Sequence, residues 1–208
     1  MKKNRILIAL LIGAMPLLNA MQFNKQENME DRKSEIATFA GGCFWCTEAI
    51  FDQVKGVLDV KSGYSGGRVI NPSYREVTRG TTGHAEAIQI QFDPSVISYT
   101  ELLEIFFKTH DPTTLNRQGA DVGTQYRSAV FYHSEEQRQT TEDIIEALNK
   151  EKIWKDPIVT EVTAFTNFYI AEDYHQEYFA NNPQQGYCRI VIQPKLDKFT
   201  KVFKDKLK

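Results

Sequence analysis

The chain predicts an α+β fold: a two-layer α/β sandwich with a mixed sheet, a split βαβ (ferredoxin-like) core and long functional loops. Three observations lead there. Strand-like alternation and helical spacing follow each other along most of the sequence. Two strand segments, 57–64 and 85–92, follow one another with no helix between, which disfavours a doubly wound parallel sheet. The stretch 110–127 carries loop chemistry over a length that a simple connector does not need.

Residues 35–40 read as a strand stopped by Gly41-Gly42. From Cys43 onward, Phe44, Trp45, Ala49, Ile50 and Val54 recur at helical spacing, and Gly56 ends the run. Residues 57–64 alternate loosely as a strand, Ser65-Gly66-Gly67 turns the chain, and a polar loop runs to Gly83. The next strand alternates strictly, with Ile88, Ile90 and Phe92 on one face and Gln89 and Gln91 on the other. Parity places Glu86 on the isoleucine face. A helix follows over 98–107, then the loop 110–127 with Asp111-Pro112 and Asn116. A strand at 128–133, a helix at 134–152, a strand at 158–165, a short helix at 173–179 and an extended piece at 187–192 complete the core elements. Residues 195–208 read as an amphipathic helix with Leu196, Phe199, Phe203 and Leu207 on one face. Packing back on the domain is the expected role of that face, and contact with an anionic membrane surface is the alternative.

The 208 residues carry 25 basic and 27 acidic side chains, a net charge of −2 that offers no electrostatic footprint for a phosphate backbone. Nucleic acid is therefore not an expected partner. Lys2, Lys3 and Arg5 precede the apolar run 6–18, and Asn19-Ala20 follows, the order of a secretory signal. The expected organisation is a signal peptide over 1–20, a polar linker over 21–34 and a single catalytic domain over 35–208. The protein is then exported, periplasmic or extracellular. Leu18 at the −3 position is large for a cleavage site, which leaves open an uncleaved signal serving as a membrane anchor. Export places Cys43, Cys46 and Cys188 where thiols tend to be oxidised, and an odd count suits redox chemistry better than structural pairing.

Cys43 stands where a strand hands over to a helix, and free backbone N–H groups with the helix dipole favour a thiolate there. Cys46 lies on the same helical face, near enough to exchange a bond with it. A zinc site is disfavoured, because a second Cys or His pair is missing and His84, His110, His133 and His175 are scattered. No metal is expected. Glu86, if buried by its parity, loses hydration and holds a proton near neutral pH, which makes it a general acid; a frayed strand would instead point it into water. The hydroxyls of Tyr74 and Tyr126 can donate to a polar oxygen, but a tyrosine in such a chain is more often a half-buried packing residue, and by themselves the two carry little weight.

These pieces fit reduction of a sulfoxide. Its sulfur becomes electrophilic when its oxygen is protonated as a thiolate arrives, so the site needs a nucleophilic sulfur, an acid and an apolar niche for the S-methyl group. Cys43, Glu86, and Phe44 with Trp45 supply these. The product is methionine and a sulfenic acid, which a neighbouring thiol condenses to a disulfide. Two other readings remain: a thioredoxin-type thiol–disulfide oxidoreductase using Cys43 and Cys46, and a binding module in which those cysteines form a structural disulfide.

Several ordered motifs carry a resemblance: Gly41-Gly42-Cys43-Phe44-Trp45, Gly63-Tyr64-Ser65-Gly66-Gly67, Asn71-Pro72-Ser73-Tyr74, Gly83-His84-Ala85-Glu86, His110-Asp111-Pro112-Thr113-Thr114 and the run from Gly119 to Ser128. From about residue 36 to residue 194 the chain resembles the A-type peptide methionine sulfoxide reductases. The resemblance implies a two-layer α/β sandwich and selectivity for the S epimer of methionine sulfoxide, free or in proteins. It implies Cys43 as nucleophile and Glu86 as proton donor, with Tyr74, Asp121 and Tyr126 around the sulfoxide oxygen and Phe44 and Trp45 receiving the methyl group. It implies no bound cofactor and a thioredoxin-like reductant. A monomer is expected. Many members carry glycine where Cys46 stands and resolve with C-terminal cysteines. Gly186-Tyr187-Cys188 matches one such position, but the glycine-rich tail with a further cysteine is absent. Effective concentration favours Cys46 as the first resolving thiol. Cys188, expected in a mobile stretch after Asn182-Pro183, would then relay the disulfide outward.

Overall fold

Alternation and spacing place the elements close to where the sequence puts them. The computed structural model describes residues 34–208. The signal expected over 1–20, and all but the last residue of the linker expected over 21–34, lie outside the described residues. The strands are β1 (Glu35–Gly41), β2 (Val57–Ser65), β3 (Ala85–Phe92), β4 (Arg117–Gln118), β5 (Asp121–Val122), β6 (Ser128–Tyr132), β7 (Glu161–Ala164) and β8 (Phe168–Ile170). The helices are α1 (Phe44–Phe51), α2 (Tyr74–Thr78), α3 (Tyr99–Thr109), α4 (Glu135–Lys150), α5 (Tyr178–Asn181) and α6 (Gln193–Val202).

Six strands form one mixed sheet in the order β7-β6-β1-β3-β2-β8. Only the β6–β7 pair is parallel. The units β1-α1-β2 and β3-α3-β6 each leave a gap of one strand, filled by β3 and by β1. The core is therefore a doubled split βαβ, as the sequence predicts. The two faces of β3 explain the layering. Ile88, Ile90 and Phe92 are fully buried in one cluster with α1, α3 and α6, while Ala85 and Ala87 lie in a thinner layer with Ala40, Ala129 and Phe131. Small side chains suffice on that second face, where Phe165 and Phe168 pack against them.

Capping chemistry fixes the helix starts. Ser98 and Glu101 exchange bonds at α3, with the Ser98 N–H donating to Glu101 Oε2 at 2.8 Å. The same arrangement at Ser73 and Glu76 opens α2 inside the expected polar loop. Five residues are too few to display helical periodicity, so only the Ser-x-x-Glu spacing announces α2. The 110–127 stretch is likewise more ordered than expected: β4 and β5 pair as a short hairpin, and a 3-10 turn covers Thr124–Tyr126.

The extended piece expected over 187–192 is a helical turn of the π type, Cys188–Ile192, running directly into α6. The β-branched run Ile190-Val191-Ile192 suggests a strand, but Cys188, Ile192, Leu196 and Phe199 recur at helical spacing and are all buried. Burial of that stripe overrides local propensity. Phe203 continues it and Leu207 packs against the core, so the apolar face of the C-terminal segment covers the domain. Lys206 pairs with Glu101, and the Lys55 N–H donates to the Lys206 carbonyl at 2.7 Å. Among the described residues no helix is long and apolar enough to cross a membrane.

Candidate active site

The turn between β1 and α1 builds the thiol site. Gly42 has φ of 93°, and a Cβ there would stand 2.6 Å from the Gln118 side chain. Glycine lets Gln118 close over the turn. Gln118 Oε1 accepts the Asp111 N–H at 3.1 Å and its Nε2 donates to the Asp111 carbonyl at 3.0 Å, which braces the 110–127 segment internally where Gln118 lies over Gly42. Cys43 caps α1, and its carbonyl accepts the Cys46 N–H at 3.1 Å. Cys43, Cys46 and Cys188 are all buried free thiols.

Glu86 lies on the isoleucine face of β3, opposite Tyr64 of β2, and is 1% exposed. Its Oε2 accepts the Phe44 N–H at 3.1 Å, at the first residue of α1, while Oε1 has no protein partner. Burial pushes its pKa up to about 8; the Phe44 N–H opposes this, and the charges of Asp121 and Cys46 add to it. Below that value the carboxyl carries a proton that it can give.

Cys43 departs from the thiolate expected at a helix start. Burial pushes its thiol well up, and the hydrogen bond to Cys46 and the charge of Glu86 push it further. Cys46 is lowered to about 7, chiefly by the hydrogen bond from Cys43, with help from the charge of Lys195. Cys43 therefore keeps its proton while Cys46 gives up its own near neutral pH, because the charge of Glu86 acts on Cys43 and that of Lys195 on Cys46. The helix start is visible in the sequence; the burial and the carboxylate are not.

The other predicted residues converge on this point. The hydroxyl pKa values of Tyr74 and Tyr126 are raised by burial and then by the charge of Glu86, with Cys43 contributing to both. Both phenols therefore stay protonated and can donate. Asp121 Oδ2 accepts the Tyr187 hydroxyl at 2.9 Å, and that hydroxyl lies 4.0 Å from Cys46 Sγ. Phe44 is fully buried and packs 6.2 Å from the Tyr74 ring. Trp45 is half-buried, stacks on Tyr178 at 3.8 Å, and donates its indole N–H to His175 Nδ1 at 3.1 Å.

Tyr187, His175, Tyr178 and Glu172 are site residues that sequence reasoning did not assign. Glu172 accepts the Tyr74 N–H at 2.9 Å and the Tyr64 hydroxyl at 2.8 Å, which fixes Tyr74 against the sheet. The indole bond makes Nδ1 of His175 an acceptor, so the ring proton sits on Nε2, a buried atom without a protein partner. The signal for this group is the crowding of Tyr174, His175, Tyr178 and Phe179 into a segment with little regular structure. Cys188 is also corrected: it is fully buried, and burial with the charge of Cys46 raises its thiol. It is not exposed on a loose stretch. The remaining histidines are used separately. His110 bridges the Phe106 carbonyl and Ser128, His84 meets the Val69 carbonyl, and His133 meets Thr38. Among the described residues no group of three or more potential ligands could hold a metal ion.

Two buried neighbouring thiols, a protonated carboxyl and two phenols beside an aromatic niche suit an enzyme that reduces a small polar group with a thiol. Comparison with known proteins agrees. A family model described as peptide methionine sulfoxide reductase matches residues 35–207. The peptide methionine sulfoxide reductase MsrA of Deinococcus radiodurans is 56% identical, covering 90% of this chain and 91% of that protein. MsrA of Saccharolobus solfataricus is 59% identical over 84% of this chain and 97% of its own length. Among solved structures, reduced Mxr1 from Saccharomyces cerevisiae superposes with a TM-score of 0.69 at 39% identity, covering 76% of this chain and 91% of that one. Methionine sulfoxide reductase A of Corynebacterium diphtheriae gives 0.67 at 34% identity, covering 73% and 76%. The chain belongs to the peptide methionine sulfoxide reductase family.

Proposed function

We propose that this protein reduces methionine S-sulfoxide, free or in proteins, to methionine, and so repairs oxidised proteins. The supporting observation is Glu86: a buried carboxyl that holds a proton, tied to the first N–H of α1 beside Cys43, with one oxygen free. Cys43 sulfur bonds to the sulfoxide sulfur while Glu86 gives its proton to the departing oxygen. The phenols of Tyr74 and Tyr126 donate to that oxygen, and Asp121 holds Tyr187 beside the thiols. Phe44 and Trp45 receive the methyl group. The reactive form carries one proton on Glu86 and a thiolate on Cys43. It has the same number of protons as a Cys43 thiol beside a Glu86 carboxylate, so an internal transfer reaches it.

The hydroxyl then moves from the methionine sulfur to Cys43 as the new sulfur–sulfur bond breaks, which releases methionine and leaves a sulfenic acid on Cys43; Cys46 displaces that hydroxyl as water, forming the Cys43–Cys46 disulfide. Cys188 then attacks Cys46, freeing Cys43, and a thioredoxin-like dithiol protein reduces the resulting bond. Because Cys188 is buried, this relay needs the 182–192 segment to shift. In the same reading residues 1–20 export the protein, 35–208 form its single catalytic domain, and it acts as a monomer with no bound cofactor.

A racemic methionine sulfoxide peptide with an excess of dithiol tests the substrate. The S epimer is expected to vanish while the R epimer persists; loss of both at equal rates would overturn the assignment. The relay is tested by counting. Without reductant, the pre-reduced protein should release up to two methionines per chain, because the freed Cys43 reacts again, while Cys188→Ser should release one. Equal yields of one, with Cys188 still a free thiol, would show that Cys188 takes no part.

A further inference from the structure

The basic C-terminal segment takes no part in the chemistry above. Its apolar stripe packs on the domain, but Lys198 and Val202 of α6 are left facing solvent. Residues 193–208 carry six lysines against two aspartates, in a chain whose net charge is −2. Among the described residues no carboxylate pairs with Lys195 or Lys198. Beside α6 lies a cavity of about 520 Å³, walled by Phe199 and Phe203 on one side and by Ile153 and Trp154, just past α4, on the other. Ile153 is 63% exposed and Val202 57%, so apolar surface stands open at its edge. A second cavity of about 350 Å³ shares Lys108, Ile153 and Trp154 with the first and runs on to Ile144 and Leu148 of α4. The two make one apolar groove with Lys108, Lys195 and Lys198 at its rim. Lys108 is paired with Glu104, and the Asp111 carboxylate beside the first cavity is taken up by Thr113.

This groove backs onto the thiol turn. His110 and Gln118 line the first cavity, and the same two side chains close on the glycines that precede Cys43. A Cβ on Gly41 would stand 3.4 Å from the His110 ring, and one on Gly42 2.6 Å from Gln118. In addition, α6 continues the turn that carries Cys188. Trp45, Tyr74, Glu86 and Tyr126 of the substrate niche border neither cavity. We propose that the groove is the docking surface for the reductant, a dithiol protein whose face around its thiols is apolar with acidic groups at its edge. This rests on the reading that a dithiol protein reduces the disulfide left after turnover. Charge and position choose that occupant. A lysine rim on a chain of net negative charge is complementary to acidic groups opposite it. A partner seated in the groove stands beside the Cys188 turn while the substrate niche stays free. A flat anionic membrane would meet the lysines but leave the recess between α6 and Trp154 unfilled.

The test compares two electron sources at saturating sulfoxide peptide: a thioredoxin of net negative charge and a small dithiol. Lys198→Glu is expected to lower kcat/KM for the thioredoxin about tenfold at low ionic strength, and the deficit should shrink to about twofold near 0.5 M salt, because salt screens exposed charges. Ile153→Ser should lower it about fivefold at either salt, since the contact it removes is apolar. Turnover with the small dithiol, which needs no docking, should stay within about twofold in both variants. Binding is read separately, from the anisotropy of labelled thioredoxin mixed with each protein, and the dissociation constants should rise by the same factors. Wild-type kcat/KM and binding in both variants would overturn the proposal, as would an equal loss with the small dithiol. A raised KM for the sulfoxide peptide with unchanged thioredoxin kinetics would overturn it in favour of a substrate contact. Binding to anionic vesicles that Lys198→Glu abolishes, beside unchanged thioredoxin kinetics, would overturn it in favour of a membrane. Anisotropy requires no turnover, so failure of the reductase reading would show as no methionine with either electron source beside an intact difference in binding.

Discussion

Glu86→Gln is expected to slow the first turnover by about 100-fold or more, because general acid catalysis contributes typically 10² to 10⁴. Glutamine keeps the shape and can still accept the Phe44 N–H through its carbonyl oxygen, but it has no proton to give the sulfoxide. The pH dependence carries the same signature. The reactive state holds one proton between Glu86 and Cys43, so the single-turnover rate of the unaltered protein should rise as pH passes through about 8, where the first of their two protons leaves, and fall at higher pH, where the second leaves. In Glu86→Gln the falling limb should disappear. Stability should move the other way. The folded carboxyl binds its proton more tightly than the unfolded one, whose pKa is about 4.3, so folding loses stability as pH rises from there to about 8. The glutamine variant escapes that loss and should melt at a higher temperature than the unaltered protein at pH 8, with the gap closing toward pH 5. Stopped-flow kinetics and calorimetry across pH check both. A normal first turnover in Glu86→Gln would remove the carboxyl from the chemistry.

Cys43→Ser is expected to eliminate the first turnover, with no methionine above an enzyme-free control, while Cys46→Ser should retain it. The contrast decides between two buried sulfurs of opposite character. Cys46 is the more acidic thiol, lowered to about 7, and a reading based on acidity alone selects it as the nucleophile. Position selects Cys43, because the charge of Glu86 and the phenols of Tyr74 and Tyr126 act on that sulfur. Cys46 instead borders Tyr187 and feels Lys195 and Asp121. Serine conserves the volume of cysteine, so the melting temperature of Cys43→Ser should stay within a few degrees. Quench-flow counting of methionine in the two variants measures the difference. A full first turnover in Cys43→Ser would transfer the role to Cys46.

Much of this architecture follows from the sequence by periodicity. Strict alternation in β3 puts Glu86 among isoleucines, and the absence of a helix between 57–64 and 85–92 gives the split βαβ core. The thiol pair is legible as well, since three residues of helix bring Cys46 under Cys43. What sequence does not display is environment. The helix start argues for a thiolate at Cys43, but burial and a neighbouring carboxylate, 43 positions along the chain, move the proton back. Tyr187, His175 and Glu172 escape because they serve through long-range contacts from short elements without a period of their own. Cys188 is misread for a related reason. A β-branched run suggests extension, whereas the apolar stripe that continues through Leu196 and Phe199 shows the turn to be helical once the whole C-terminal segment is taken together.

The central claim is that oxygen leaves the sulfoxide for Cys43 with a proton from Glu86. It is tested most directly in the Cys46→Ser, Cys188→Ser double variant, which leaves Cys43 without an internal partner. Pre-reduced and given excess S-sulfoxide peptide with a sulfenic-acid trapping reagent, this protein should release one methionine per chain and carry the trapped adduct on the peptide containing Cys43. The yield of adduct should match the yield of methionine, and adding Glu86→Gln should slow both together. Methionine released without an adduct on Cys43, or at an unchanged rate in the added variant, would contradict the account.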